Sequence, residues 1–284
     1  MKKRLIAGLL AGAMAVSLSG CGASKTEAPA AGDSAAEETA EAEPVTLNVF
    51  AAASMTETLT EIQEMYKDVA PNVTLVFNFD SSGTLKTQIQ EGADCDLFIS
   101  AAQKQMNQLN KDADPEVNTE GLDYVLEGTR VNLLENKVVL AVPDGNPKDI
   151  ESFEDLETDR LSLLALGNED VPVGQYSTEI LMNLGILDSL EAEGKITYGS
   201  NVKEVTTQVS EAAADAGIIY ATDAFSAGLT VVDQAEGDLC KQVIYPAAVL
   251  NISKNPEAAK EFLAYLQTDT CMQVFEAVGF TAAE

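Results

Sequence analysis

Hydrophobic and polar positions follow two alternating periods along most of this 284-residue chain. Short apolar runs, which are typical of buried strands, are followed by stretches whose apolar residues recur every three to four positions, which are typical of amphipathic helices. The first such helix is predicted over residues 54–69, with these apolar residues on one face: Met55, Leu59, Ile62, Tyr66 and Val69. Strands that alternate with helices predict a parallel sheet covered by helices on both faces.

The bounds of the predicted elements follow from these periods and from the Gly, Pro and Asn residues between them. Strands are predicted at 45–52, 73–79, 96–101, 137–143, 161–167, 195–199, 217–221, 229–233 and 242–250. Helices are predicted at 54–69, 85–92, 102–109, 150–156, 177–187, 201–214, 256–267 and 270–278. Residues 171–176 are predicted as a turn, and Pro246 predicts a bend or a sheet edge in the last strand. The order indicates two sets of strand–helix units in series, followed by a helical tail.

The N-terminal residues differ from the rest of the chain. A basic start, MKKR, precedes an apolar stretch that is shorter than the roughly 20 residues of a membrane-spanning helix, and the stretch ends in LSGC. This ending resembles a bacterial lipobox, in which the Cys becomes the lipidated first residue of the mature protein. We therefore predict a lipoprotein signal peptide over residues 1–20 and lipidation of Cys21. An ordinary cleaved signal with an incidental Cys21 is the alternative.

The segment that follows is rich in Ala and acidic residues and contains no large apolar residue between positions 22 and 44. Such a composition cannot bury a core and is typical of a flexible linker. We predict residues 21–44 to be the lipidated Cys followed by a flexible tether. The protein is then expected to be extracytoplasmic and lipid-anchored, on the outer face of the cell membrane or its periplasmic side.

The charge and composition exclude several classes of function. The chain has 17 basic and 46 acidic residues, a formal net charge of −29, and no histidine. Nucleic-acid binding needs Lys and Arg on the surface, and an anionic membrane would repel this surface. Without His, a serine nucleophile lacks its usual base. No G-x-S-x-G motif is present, and Ser82 and Lys86 are four positions apart, which does not fit the S-x-x-K spacing. The sequence therefore predicts no enzyme, no metal cation and no cofactor.

The body of the chain contains Cys95, Cys240 and Cys271. Their spacing matches no zinc-binding pattern. A small buried thiol is favoured for Cys95, and a Cys240–Cys271 disulfide is an alternative for the other two. The sequence does not decide their redox state.

Serines follow two of the predicted strands at the points where helices begin. Ser54 begins the S-x-x-E pattern of a capping box with Glu57, and Ser81 and Ser82 precede the next helix, so helix capping explains each position separately. Together they indicate more, because the carboxyl ends of parallel strands meet at one edge of a sheet. Two helix N-termini at that edge, with free N–H groups and hydroxyls, form a favourable site for an anion.

The second half of the chain has comparable junctions. Val173 lies in VPVGQY before a predicted helix, Val202 follows the potential cap Asn201, and Tyr220 ends a predicted strand. Each has an ordinary explanation: a loop, an Asn cap and a partly buried strand-end tyrosine. Placed at the same edge, they would add backbone N–H and hydroxyl donors to an anion site.

Several segments together resemble the molybdate-binding solute-receptor family of ABC importers, which are periplasmic binding proteins, in a lipoprotein form. In chain order the segments are AAASMTETLTEI, FNFDSSGTLKTQIQEGADCDLFISA, VPVGQY, GIIYATDA and YPAAV, and they span nearly all of 45–284. The resemblance implies an α/β type II periplasmic-binding-protein fold, with two α/β domains and a ligand cleft between them. Domain 1 is then expected at 45–138 and 243–284, and domain 2 at 139–242.

The resemblance also implies a ligand and the residues that bind it. The ligand is a molybdate or tungstate oxyanion, with no cofactor, and the partners are the permease subunits of an ABC transporter; the protein is expected to be a monomer. The implied donors are the hydroxyls and amides of Ser54 and Ser82, the backbone N–H groups of Val173 and Val202, and the hydroxyl of Tyr220. No feature of the sequence ranks molybdate over tungstate.

Asp80 departs from the family pattern, which has a small residue before the serine pair. A carboxylate in the cleft would repel a dianion, although it would accept a proton from hydrogen phosphate. We expect Asp80 to face away, because side chains alternate along a strand. A receptor of the same fold for sulfate, phosphate or another solute is the second interpretation, and an enzyme or a surface adhesion lipoprotein is the third.

Overall fold

The computed structural model describes residues 43–237 and 239–283. The predicted signal peptide, Cys21 and the predicted tether up to residue 42 lie outside the described residues. Strands lie at β1 Val45–Ala52, β2 Val73–Asp80, β3 Leu97–Ile99, β4 Val131–Asn136, β5 Val138–Val142, β6 Leu164–Gly167, β7 Ile196–Gly199, β8 Ala216–Tyr220, β9 Thr230–Gln234, β10 Val243–Val249 and β11 Thr281–Ala282.

Helices connect most of these strands. They lie at α1 Thr56–Val69, α2 Ser82–Gln90, α3 Gln103–Gln108, α4 Pro172–Asn183, α5 Leu187–Ala192, α6 Val202–Ser210, α7 Ala221–Ala227, α8 Pro256–Leu266 and α9 Asp269–Ala277. Short 3-10 turns lie at Ala53–Met55 and Phe153–Glu157. The predicted α/β class is confirmed.

The strands form two sheets within the described residues. The first has the order β11-β4-β10-β3-β1-β2, and the second has the order β7-β6-β8-β5-β9. We call the first sheet with α1, α2, α3, α8 and α9 lobe 1, and the second sheet with α4 to α7 lobe 2. The chain changes sheet between Asn136 and Val138 and again between Gln234 and Val243. Division into two domains at residues 138 and 242 remains a prediction.

Pairing within each sheet is mixed. β1 pairs in parallel with β2 and β3, and β6 pairs in parallel with β7 and β8, as expected for strand–helix units. The strands next to the crossings are antiparallel, since β10 runs against β3 and β4, and β5 runs against β8 and β9. The prediction of a parallel sheet is therefore wrong for these strands. They belong to the connections between lobes, which enter the second sheet from the opposite end.

Helix positions agree with the apolar periodicity except near helix ends. In α1, Leu59, Ile62 and Tyr66 are buried on lobe 1, whereas Val69 at the last turn is 58% exposed. Helix α4 begins at Pro172, inside the predicted turn. Proline is favoured at the first helical position because its missing N–H would have no partner there. The turn prediction is wrong for this reason.

The three cysteines of the described residues are free thiols, buried at Cys95 and Cys271 and half-buried at Cys240. The Cys240–Cys271 disulfide considered above is therefore wrong. Burial raises the pKa of the Cys240 thiol to about 11, so this thiol is protonated at neutral pH. Across the described ranges, no helix has the length and apolar character needed to span a membrane.

Candidate functional site

A small cavity lies between the lobes, where the carboxyl ends of parallel strands from both sheets meet helix N-termini. Its atom-free space is about 190 Å³ when open solvent is included, and the centres of water-sized spheres fit in only about 10 Å³ of it. Lobe 1 supplies Ala52, Ala53, Ser54, Asp80, Ser81, Ser82 and Ala101 to the wall. Lobe 2 supplies Val171, Pro172, Val202 and Tyr220. The structure thus brings Ser54, Ser82, Val202 and Tyr220 to one cavity.

Ser54 reaches the cavity from the 3-10 turn that follows β1. Its side chain is buried, and its Oγ lies 2.9 Å from the hydroxyl oxygen of Tyr245 on β10. Neither the 3-10 turn nor α1 has a side-chain cap. The capping box predicted with Glu57 is therefore not formed, and the Ser54 hydroxyl is positioned by Tyr245.

Ser81 and Ser82 have different roles although they are adjacent. Ser81 caps α2, because its Oγ accepts a hydrogen bond from the N–H of Thr84 at 3.1 Å. Ser82 is the first helical residue and is fully buried, and its Oγ accepts from the N–H of Ala101 at 2.9 Å. A hydroxyl that accepts in this way keeps its own proton for donation. Capping is thus the correct interpretation for Ser81 and not for Ser82.

Tyr220 ends β8 and precedes the first turn of α7. Its side chain is buried, and its hydroxyl has no hydrogen-bond partner among the described residues. The ring packs edge-on against Tyr245, with ring centroids 5.8 Å apart. Burial raises the pKa of Tyr220 well above its ordinary value. The phenol is therefore neutral at any physiological pH, and its proton is available to an acceptor in the cavity.

The two predicted backbone donors occupy first turns of helices. Val202 begins α6, whose cap Asn201 accepts from the N–H of Glu204 at 3.1 Å. Val173 is the second residue of α4, after Pro172, and is fully buried. Val173 is not among the residues that line the cavity, whereas Val171 and Pro172 are. Because Pro172 has no N–H, Val173 supplies the first amide of this helix.

Asp80 is the only charged residue in the cavity wall formed by the described residues. Its Oδ1 accepts the N–H of Ser81 at 2.7 Å and lies 3.5 Å from Nδ2 of Asn201 in lobe 2. The expectation that Asp80 faces away from the cleft is therefore wrong. The residue stands at the end of β2, where the chain turns, so the alternation of the strand no longer fixes its direction.

The electrostatics of the cavity come from neutral groups. Helices α2, α4, α6 and α7 all begin at its wall, and each helix N-terminus carries a partial positive charge and N–H groups without helical partners. No Lys or Arg belongs to the described lining. Hydroxyls, amides and helix ends without a basic residue suit a small oxyanion. Among the described residues, no group of His, Cys, Asp and Glu could hold a metal ion.

Lobes 1 and 2 contact each other around the cavity. The N–H of Gly83 on α2 donates to the carbonyl of Asp170 in lobe 2 at 3.0 Å. A Cβ atom at Gly83 would lie 2.3 Å from that carbonyl oxygen, so only glycine permits this approach. Lys203 on α6 pairs with Glu57 on α1 at 2.8 Å. The structure therefore shows the cleft closed.

Sequence reasoning missed Tyr245, Gly83 and Asp170 as parts of the site. Tyr245 holds Ser54 at 2.9 Å and accepts from Asn136 Nδ2 at 3.2 Å, which links the site to the crossing between β4 and β5. Gly83 follows the serine pair, and a glycine at the start of a helix was the available signal of a close backbone approach. The carbonyl of Asp170 left no signal in the sequence.

Comparison with known proteins gives a consistent picture. The family model for "bacterial extracellular solute-binding protein" matches residues 47–281. The putative ABC transporter substrate-binding lipoprotein YvgL of Bacillus subtilis is 38% identical over 241 residues, covering 84% of this chain and 87% of that protein. The molybdate-binding protein ModA of Haemophilus influenzae is 33% identical over 241 residues, covering 83% of this chain and 90% of that protein.

Solved structures agree with the fold. The substrate-binding domain of a putative molybdenum ABC transporter from Clostridium difficile superimposes with a TM-score of 0.62 at 36% identity, covering 84% of this chain and all of that one. The periplasmic molybdate-binding protein of Azotobacter vinelandii superimposes with a TM-score of 0.73 at 22% identity, with 84% of this chain and 100% of that chain covered. The predicted periplasmic-binding-protein fold is therefore confirmed.

Proposed function

The chain belongs to the family of bacterial extracellular solute-binding proteins, and on this premise we propose that it captures molybdate or tungstate between its lobes for delivery to an ABC permease. Relatives at 33–36% identity are named molybdate-binding proteins, and the cavity has the chemistry that such a ligand requires. A tetrahedral dianion carries no proton, so each of its oxygens accepts hydrogen bonds. Members of the family bind solutes, and the proposed function is binding without chemical conversion of the ligand.

One observation carries the proposal: hydrogen-bond donors without partners converge on a cavity whose described lining contains no basic residue. The Tyr220 hydroxyl has no partner among the described residues, and the Ser82 hydroxyl accepts from Ala101 and retains its proton. We assign Ser54, Ser82 and Tyr220 as hydroxyl donors to the oxyanion. We assign Val173 and Val202 as backbone N–H donors from the first turns of α4 and α6. These assignments combine the positions implied by the family resemblance with the observed helix starts.

Neutral donors suit a receptor that must release its ligand. Hydrogen bonds from dipoles and hydroxyls hold the anion only while donors from both lobes surround it. Opening the cleft removes the donors of one lobe, and the anion is left with an incomplete shell. Binding proteins of this class close by hinge motion between lobes. The crossings at residues 136–138 and 234–243 are the connections about which such a motion would occur.

A second candidate ligand is a protonated oxyanion such as hydrogen phosphate. Asp80 favours it, because a carboxylate in the cavity wall accepts a hydrogen bond from the hydroxyl of a protonated oxyanion and repels an oxyanion that has no hydroxyl. The carboxylate is already engaged, however, since its Oδ1 accepts from Ser81 and approaches Asn201. This engagement reduces the repulsion and favours molybdate as the first choice.

The location and partners follow from the same family. We propose that the chain is a lipoprotein anchored through Cys21 on the outer face of the cell membrane, or on its periplasmic side, and that it acts as a monomer. The B. subtilis relative is named a lipoprotein, and the LSGC ending of the apolar N-terminal stretch supports the same modification. The partner is the permease subunit of an ABC transporter, which receives the anion when the lobes separate.

Thermal unfolding with single anions tests the proposed ligand. The protein without residues 1–20 is heated with molybdate, tungstate, sulfate or phosphate, each alone. A ligand at 1,000 times its Kd adds ~4 kcal/mol to the free energy of unfolding, which for a protein of this size raises Tm by roughly ten degrees. We expect this shift with molybdate and tungstate only. A shift with phosphate or sulfate alone would move the function to the second candidate, and no shift with any anion would refute the proposal.

A further inference from the structure

Three charged residues form a cluster at the edge of the cleft, and we call Glu57, Lys203 and Asp223 the closure cluster. Nζ of Lys203 lies 2.9 and 2.8 Å from the two carboxylate oxygens of Glu57 and 3.1 Å from Oδ1 of Asp223. Glu57 belongs to α1 in lobe 1, whereas Lys203 on α6 and Asp223 on α7 belong to lobe 2. One ammonium group therefore joins carboxylates from both sides of the cleft.

The two ion pairs differ in burial. The Asp223 side chain is fully buried, that of Lys203 is 30% exposed, and that of Glu57 is 50% exposed. Neither carboxylate oxygen of Asp223 has a hydrogen-bond partner among the described residues, so the ion pair with Lys203 is its compensation. A buried charge that loses its partner costs several kcal/mol. The pair within lobe 2 is therefore costly to break, whereas the half-exposed Glu57 carboxylate can move into water.

The pKa shifts of Asp223 and Lys203 agree with this assignment. Burial raises the pKa of Asp223 to about 6, with the Lys203 ammonium acting in the opposite direction and Glu57 adding to the rise. Burial alone would lower the pKa of Lys203, but Asp223 and Glu57 more than offset it, and the pKa is raised. At neutral pH, Lys203 is thus charged and Asp223 is mostly ionised. When Glu57 is in contact, the cluster has two carboxylates and one ammonium group, so its net charge is negative.

Each member of the cluster stands within one helical turn of a residue that lines the cavity. Lys203 follows Val202 directly, Glu57 follows Ser54 by three residues, and Asp223 follows Tyr220 by three residues. The cluster therefore joins the first turns of α1, α6 and α7. The assigned donors of both lobes lie in or just before these turns, so a force that draws the turns together brings the donors around the ligand.

We propose that Lys203 is a positioning residue for ligand retention: it is held in lobe 2 by Asp223 and binds Glu57 of lobe 1 only when the cleft closes. The inference rests on the proposed function, because the quantity it affects is retention of the captured anion. In the open state the Glu57 carboxylate is hydrated, and on closing it replaces water with the ammonium group. Closure is thereby stabilised without a basic residue in the cavity itself.

The direction in which a substitution of Glu57 changes the affinity distinguishes this role from a long-range effect of charge. Glu57 is a negative charge near a site for an anion, so its removal or reversal should tighten binding if only long-range charge mattered. If Glu57 is the closing partner of Lys203, the same substitution weakens binding. Glu61 provides a matched control, since it is an exposed glutamate one turn further along α1 that has no ion pair among those described.

The experiment compares Glu57→Lys with Glu61→Lys, which change the net charge equally. Calorimetric titration with molybdate gives Kd, and thermal unfolding without ligand reports the fold. We expect Glu57→Lys to raise Kd about tenfold, and Glu57→Gln to raise it about two- to fivefold, the range for a partly exposed ion pair. Glu61→Lys should leave Kd unchanged or lower it, and Tm without ligand should be the same in all variants. A Kd for Glu57→Lys equal to or below that of the wild type overturns the proposal.

Failure of the proposed function would look different. If the wild type binds molybdate, tungstate, sulfate or phosphate, the titration is done with the anion that binds, and the comparison of variants is unaffected. If it binds none of them, the proposed function fails. The role of Lys203 in retention then fails with it, whereas anion binding by the wild type with no loss of affinity in Glu57→Lys refutes the role of Lys203 alone.

Discussion

At the scale of single residues, the hydroxyl of Tyr220 is the clearest sign that the cavity is built for a ligand. It is buried and has no partner among the described residues, whereas the neighbouring Tyr245 hydroxyl contacts both Ser54 and Asn136. An unsatisfied buried polar group costs about 1–3 kcal/mol. The folded protein retains this cost at one tyrosine and avoids it at the other, which is understandable if the Tyr220 proton is reserved for an acceptor that enters the cavity.

This asymmetry gives a prediction for Tyr220→Phe. Loss of a hydrogen bond to a charged ligand, ~1.5–3 kcal/mol, should weaken molybdate binding about 10- to 100-fold. The free energy of unfolding without ligand should stay the same or rise slightly, because an unsatisfied group is removed. Calorimetric titration and chemical denaturation measure the two quantities. Tyr245→Phe is the matched control, and it should lower stability by about 1 kcal/mol because Ser54 and Asn136 lose their common partner. Wild-type affinity in Tyr220→Phe would remove Tyr220 from the site.

Residue-level reasoning from sequence located the hydroxyls but not their individual roles. Ser81 and Ser82 differ by one position, and only the turn geometry decides which of them caps α2 and which accepts from Ala101. The capping box expected for Ser54 fails because Ser54 lies inside the 3-10 turn and not at the cap of α1, and its acidic member, Glu57, pairs with Lys203 on the other lobe. Local patterns identify candidate partners nearby in the chain. They cannot predict a partner such as Lys203, which lies 146 residues from Glu57.

At the scale of elements, the predicted helix starts indicated where the ligand site lies. The exact residues at which helices begin were nevertheless predicted least accurately. Apolar periodicity found α1, α6 and α8 because each has several turns with one buried face. It missed α7, which has seven residues and follows β8 without a loop. It also began α4 too late, because VPVG has the composition of a turn. Antiparallel pairing of β5 and β10 could not be predicted, since apolar runs do not carry direction.

The start of α2 offers a test of cleft closure. Gly83→Ala would place a Cβ 2.3 Å from the carbonyl oxygen and 2.8 Å from the Cβ of Asp170, and backbone atoms cannot yield as a flexible side chain does. We expect the closed state to be blocked and Kd for molybdate to rise at least tenfold. Without ligand, stability should be equal or higher by up to about 1 kcal/mol, because Ala is favoured over Gly in a helix.

Small-angle X-ray scattering and titration together check this expectation. Molybdate should reduce the radius of gyration of the wild type and leave that of Gly83→Ala unchanged. Thr87→Ala, an exposed substitution on the same helix, should behave as the wild type in both measurements. If Gly83→Ala binds and compacts normally, the contact between Gly83 and Asp170 is not part of ligand capture.

At the scale of the whole molecule, the sequence predicted the fold and the general kind of site better than it predicted how the lobes meet. Order and type of elements were sufficient for an α/β protein with a cleft, and the motif segments indicated the family. The contacts that hold the cleft closed are between residues far apart in the chain: Gly83 with Asp170, Asp80 with Asn201 and Glu57 with Lys203. Such contacts depend on the relative position of the two sheets, which no local pattern encodes.

The net charge of the whole chain leads to a prediction about the rate of binding. The formal charge of −29 repels an approaching dianion, while the attraction comes from donors that act only at short range. Salt shortens the Debye length from ~30 Å at 0.01 M to ~8 Å at 0.15 M, and so it screens the distant acidic groups far more than the donors inside the cavity. The association rate constant for molybdate should therefore rise, about two- to fivefold, when sodium chloride is raised from 10 to 150 mM.

Stopped-flow fluorescence can measure this rate, because the chain has seven tyrosines and no tryptophan. Tyr220 lines the cavity, and the ring of Tyr245 packs against it. The dissociation rate constant should change much less. The bound anion lies among neutral donors in a closed cleft, where dissolved salt has little effect. Salt should therefore increase the affinity for molybdate by making association faster. Receptors that attract anions with lysine or arginine are expected to show the opposite, because salt weakens that attraction. Slower association at higher salt would show that a positive field at the mouth of the cleft outweighs the acidic surface, and the source would then have to be sought in Lys203 and the helix N-termini.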